Sequence, residues 1–152
     1  VPFPQADSFE RVINLCELLK QRGFISKEEF THNYDFDHRQ TDYYSNAAKY
    51  LGLIKGWSEN QQIGCTLTQD GIRIFNLPIV ERQLEFVRLI LSQAAFKNTL
   101  KLYFDKGDVP TKDEVIEIMK DARLYNIDSE QTYRRRASTI ISWINWILEL
   151  IE

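Results

Sequence analysis

Asp37-His-Arg-Gln-Thr-Asp-Tyr-Tyr-Ser-Asn-Ala-Ala-Lys-Tyr-Leu-Gly-Leu-Ile54 is the stretch whose reading decides the fold. At helical spacing, Tyr44, Ala47, Ala48 and Leu51 share one side. Asp42, Asn46 and Lys49 share the other, with Arg39 and Ser45 towards the edges. The inner side is narrow and small enough for close approach of another helix. The outer side carries groups able to hydrogen-bond base edges and phosphates. A short helix of this kind suits the reading helix of a helix-turn-helix, although an ordinary amphipathic surface helix has the same pattern.

Upstream, Ser8 can cap a helix to about Arg22 that Gly23 closes, with an apolar stripe through Phe9, Val12, Cys16 and Leu19. Phe24 and Ile25 bridge to a second helix opened by the capping box of Ser26 and Glu29, with Phe30 and Tyr34 facing inward and a turn at residues 35–37. Val1 to Asp7 reads as an extended lead-in. Downstream, Lys55 to Trp57 and Ile63 to Leu67 suit two strands around a polar turn at Ser58 to Gln62, a hairpin in the position of a wing. Thr68 then caps a short helix, with Ile72, Phe75 and Leu77 expected in the core.

Ile79 to Phe104 reads as a long helix with a break near Ala94-Ala95 and an inward face through Leu84, Val87, Leu91, Leu100 and Phe104. Gly107 closes it. Thr111 and Glu114 box the next helix, a turn spans Tyr125 to Ser129, and a last helix runs from Glu130 to the chain end. The order of apolar helix, glycine, boxed helix, turn, Gln-Thr and polar-fronted helix thus occurs twice. The expected architecture is mainly α with a small β-hairpin wing, in tandem winged-helix and helix-turn-helix units. Residues 1–78 form the first unit. Residues 79–152 form a long connecting helix and the second unit, packed with the first as one compact body.

The chain has 152 residues, 43% hydrophobic and 27% charged, with a net charge of −3. That is the composition of a globular protein, and its acidity argues against non-specific nucleic-acid binding without excluding a local basic patch. No apolar run spans a bilayer, so no membrane partner is expected and the location is read as cytoplasmic. Cys16 and Cys65 sit in apolar settings and read as small buried hydrophobes. The start at Val1, without Met, suggests a fragment.

A catalytic site is not legible. No Glu-x-Lys or Asp-x-Lys lies on a plausible strand, no Cys/His spacing suits a metal, and no glycine loop cradles phosphate. Gln131, Arg135, Ser138, Ser142 and Asn145 instead form a polar stripe on the last helix, opposite Ile140, Trp143 or Ile144, Ile147 and Ile151. Arg134, Arg135 and Arg136 stand at its start, where free N–H groups also attract phosphate. Trp143 and Trp146 read as core aromatics. Tyr43 and Tyr50 flank the first reading face.

Three stretches together resemble the winged-helix target-recognition domains that accompany nuclease domains in some type II restriction endonucleases. They are residues 37–54, the hairpin ending Thr66-Leu-Thr-Gln-Asp-Gly71, and Tyr133-Arg-Arg-Arg-Ala-Ser-Thr-Ile-Ile-Ser-Trp-Ile-Asn-Trp146. The resemblance implies a bacterial module that selects a duplex DNA site without cutting it. Its partners would be double-stranded DNA and the nuclease domain of a parent chain. No cofactor is expected for this fragment; Mg²⁺ would belong to the separate nuclease domain. The expected DNA contacts are Arg39, Gln40, Asn46 and Lys49 in the first unit, and Gln131, Thr132, Arg134, Arg135 and Ser138 in the second. The alternatives are a protein-interaction or homodimerisation module, or a transcription regulator.

Overall fold

The computed structural model describes residues 3–33, 38–124, 127 and 129–151. It is mainly helical, with eight helices and a three-stranded antiparallel sheet among the described residues. The order is α1 (Phe9–Arg22), β1 (Ile25–Ser26), α2 (Lys27–Asn33), α3 (His38–Tyr50), β2 (Ile54–Glu59), β3 (Gln62–Leu67), α4 (Gln69–Phe75), α5 (Ile79–Leu91), α6 (Ala94–Lys106), α7 (Lys112–Asp121) and α8 (Glu130–Leu150). The expected inward Tyr34 and the turn at 35–37 lie outside the described residues, as do Tyr125, Asn126 and Asp128 of the second turn.

The bridge at Phe24-Ile25 proves to lead into a strand. Ile25 pairs with Cys65 and Ser26 with Gly64, so the sheet order is β1-β3-β2. A Cβ on Gly64 would sit 2.1 Å from the Ile25 carbonyl oxygen, so this short pairing needs glycine there. The hairpin turn is tighter than expected. Strand β2 runs through Ser58 and Glu59, and Asn60 and Gln61 alone make the turn, both with positive φ.

The Leu-Thr-x-x-Gly pattern has a direct physical cause. The Thr68 hydroxyl accepts from the Gly71 N–H at 2.9 Å and donates towards the Gly52 carbonyl at 2.7 Å. A Cβ at Gly71 would meet the Leu53 carbonyl oxygen at 2.1 Å. With Gly71 pressed there, Ile74 and Phe75 are the residues that follow it into the core. Ile72, expected inside, is 50% exposed.

The long helix is broken by Ser92 and Gln93 into α5 and α6, next to the expected position. On α5 the core side is Phe86 and Ile90, and Arg82 reaches back to the Phe75 carbonyl at 2.9 Å and to Glu17. That rotation turns Leu84 outward, against expectation; Phe104 on α6 is likewise exposed. The Thr111 capping box of α7 is complete.

Helix α8 differs most from its expected role. From Ala137 to Leu148 it is buried at Ala137, Thr139, Ile140, Trp143, Ile144, Trp146, Ile147 and Leu148. Only Ile151 of the expected apolar stripe is exposed. The Trp143 ring meets Phe9 edge-on at 5.0 Å and stacks on Phe96 at 5.1 Å. Cys16 and Cys65 are buried free thiols, and burial pushes the pKa of both upward.

The lead-in docks against this helix. Ala6 N–H donates to the Thr139 hydroxyl at 3.0 Å, that hydroxyl donates to Asp7 Oδ1 at 2.9 Å, and Trp143 Nε1 donates to the Ala6 carbonyl at 2.8 Å. Ser142 donates to the Asp7 carbonyl. On the other side, Ser8 N–H donates to the Tyr44 hydroxyl at 3.2 Å, and Phe3 forms a three-ring cluster with Tyr50 and Phe96, each centroid 5.5 Å from its own. Thr139→Val removes the acceptor for a buried N–H and is expected to lower unfolding stability by roughly 1–3 kcal/mol. Urea unfolding followed by tryptophan fluorescence reads this; an unchanged midpoint would remove Thr139 from the account.

Candidate nucleic-acid interface

The outer side of α3 is open at Arg39 and Asp42 and half-covered at Gln40, Tyr43, Asn46 and Lys49. Thr41 and Ser45 are buried. Ser45 was expected nearer the edge; its hydroxyl instead donates to the Asp42 carbonyl at 3.3 Å. Asp42 pairs with Lys27 Nζ at 2.9 Å, which ties α3 to α2. The Lys49 charge lowers the pKa of the Cys65 thiol on β3 against the larger effect of burial. Tyr50 is also turned inward, against Phe3 and Phe96, and burial raises its pKa. The candidate face of α3 therefore comprises Arg39, Gln40, Tyr43, Asn46 and Lys49.

The first turns of α8 divide by what their side chains already hold. The Thr132 hydroxyl is 2.8 Å from the Ser129 hydroxyl and belongs to the helix cap. Arg134 pairs with Asp113 of α7 at 3.0 Å. Ser138 donates to the Arg134 carbonyl at 3.3 Å. Gln131 and Arg135 are exposed. Neither makes an ion pair or side-chain hydrogen bond among the described residues.

These two helix fronts meet. Gln40, Tyr43 and Tyr44 of α3 and Arg135 and Ser138 of α8 line one open cleft of about 360 Å³, closed on the remaining side by residues 5–7. Arg39 donates to the Tyr43 hydroxyl at 3.3 Å, with its guanidinium 6.0 Å from the ring centre. Arg136 approaches the same tyrosine from α8. Its Nε and Nη1 are buried and have no hydrogen-bond partner among the described residues. Burial pulls its pKa down, and its proximity to the Tyr43 hydroxyl opposes that pull. Asp7 is the acidic side chain on the cleft, and its Oδ1 already accepts from Thr139.

Arg39 thus bonds to Tyr43, Arg135 shares its cleft, and Arg136 holds donors that the described protein leaves unsatisfied. Such donors are costly unless an acceptor arrives, and an anion is the acceptor that suits a guanidinium. Sequence reasoning placed Arg136 at the helix start but not among the site residues. The signal for it was the three-arginine run; the burial that distinguishes it depends on the neighbouring helix.

Among the described residues, no group of three or more His, Cys, Asp or Glu side chains could hold a metal ion. No helix among them is long and apolar enough to cross a membrane.

A family model described as "Domain of unknown function (DUF7226)" matches residues 11–152. The chain belongs to this family. Neither a curated protein nor a solved structure matches it. The DUF7226 match includes α3, the sheet and α8, and so includes every arginine of the cleft.

Arg136→Met keeps the stem and removes the unsatisfied donors. It is expected to raise stability at low ionic strength by roughly 1 kcal/mol, the low end for a buried unpaired polar group because water still screens this half-covered side chain. Thermal melts of both proteins check this; a fall of several degrees would mean that the guanidinium is satisfied in the free protein.

Proposed function

We propose that this DUF7226 chain is a winged-helix module that binds double-stranded DNA. Supporting the fold part of this reading is the order α1-β1-α2-α3-β2-β3 with sheet order β1-β3-β2, which puts a third helix beside a three-stranded sheet and its hairpin. The observation that carries the functional part is Arg136, whose buried N–H groups find no acceptor among the described residues, next in the chain to Arg135 of the cleft that Gln40 and Tyr43 also line. Phosphate oxygens supply charge-assisted acceptors of the right geometry.

In this reading Arg135, Arg136 and Gln131 engage the backbone and set the register. Arg39, Gln40 and Asn46 reach base edges, Arg towards guanine and the two amides towards adenine. Thr132, Arg134 and Ser138 have smaller parts than their sequence positions suggested, because each is bonded within the protein. The module is non-catalytic in this proposal. The likeness to restriction-endonuclease recognition domains extends it: the module selects a site and a separate nuclease domain, with its own Mg²⁺, cuts. A protein-interaction role is the second reading, favoured by the exposed Val80 and Leu84 on α5.

Fluorescence anisotropy with a mixed-sequence duplex, over a salt series of roughly 50–200 mM, separates the two. DNA binding gives an affinity that falls linearly with salt on logarithmic axes. Arg135→Ala is expected to weaken a cognate complex by roughly 1–3 kcal/mol, and Arg136→Gln to reduce the salt slope by about 1. Absence of any binding at the lowest salt would sink the DNA reading.

A further inference from the structure

Helix α5 carries a second apolar face besides the one that meets the core. Val80, Leu84, Val87 and Leu91 recur at the alternating four- and three-residue steps of a coiled-coil seam. Val80 and Leu84 are 61% and 64% exposed, whereas Val87 and Leu91 are half-buried and already pack in part against the core. Phe86, Ile90 and the anchored Arg82 hold the rotation of the helix, so Val80 and Leu84 stay outward and the edges of Val87 and Leu91 remain open.

One edge of the seam is charged. Glu81 stands near its start and Arg88 near its end, on the same side at helical spacing. Glu81 has no ion pair or hydrogen bond among the described residues, and Arg88 bonds only through Nε, to Glu85 at 2.5 Å. A second copy running antiparallel across a two-fold axis would place Glu81 of each chain against Arg88 of the other, twice over. A parallel copy would set Gln83 against Arg88 and leave Glu81 alone. The patch is complementary to itself in one orientation, which is the requirement of an isologous interface.

We infer that this face of α5 pairs antiparallel with α5 of a second copy of the chain. The surface shares no residue with the arginine cleft, and self-association is measured without DNA, so each idea can fail alone.

Sedimentation of the purified chain tests it, up to roughly 0.5 mM. The expected result is a concentration-dependent rise from 18.0 kDa towards twice that mass. Leu84→Glu, at an exposed position, should raise the dissociation constant roughly tenfold or more while circular dichroism and melting stay near those of the parent. Glu81→Arg should also weaken the dimer, and Glu81→Arg combined with Arg88→Glu should restore it. A single species at the monomer mass overturns the inference, as does a dimer indifferent to Leu84→Glu. A dimer that the double reversal fails to restore overturns the antiparallel pairing.

Discussion

The strap of residues 3–8 against α8 is the contact on which the arrangement of the rest depends. Its backbone satisfies the Thr139 hydroxyl and the Trp143 indole on one side, and the Tyr44 hydroxyl on the other. These bonds join segments remote in the chain, and several are buried, where an unmade bond costs more than a made one returns. Phe3 completes an aromatic cluster with Tyr50 of α3 and Phe96 of α6. The first sheet-bearing part and the three-helix group α6-α7-α8 are therefore stitched by a segment that belongs to neither.

That stitching sets the geometry of the cleft. Residues 5–7 close it while α3 and α8 supply the other walls. Gln40 and Tyr43 come from one side and Arg135 and Ser138 from the other, with Arg39 bonded to Tyr43. A net-acidic chain thereby concentrates positive charge at one seam, which is how a local field can exist against the overall balance.

Helix α8 serves two ends of this arrangement. Its first two turns are polar and accessible, whereas from Ala137 onward it is the central element of the core. A helix buried on several sides cannot lie full length in a groove. The two helices expected to be equivalent therefore differ in burial: α3 keeps an open outer side, and α8 keeps one only over its first turns. The connections differ as well: residues 34–37 separate α2 from α3, while residues 122–129 separate α7 from α8.

What the amino-acid order determined is local. Helix starts at Ser8, Thr68, Thr111 and Ser129, closure at Gly23 and Gly107, the hairpin and the interruption before Ala94 all follow from caps, turn residues and periodicity acting over a few residues. What only the tertiary structure decided is rotation and approach. Ile72 and Leu84 turned outward because Gly71 must meet Leu53 and Arg82 must meet Phe75, demands from outside each helix. The two-residue strand β1 exists because β3 is there to pair with it, and too few residues are involved for periodicity to register. Arg136 differs from Arg134 and Arg135 through burial beside Tyr43 and the absence of a partner, properties of packing between remote segments that adjacent letters do not encode.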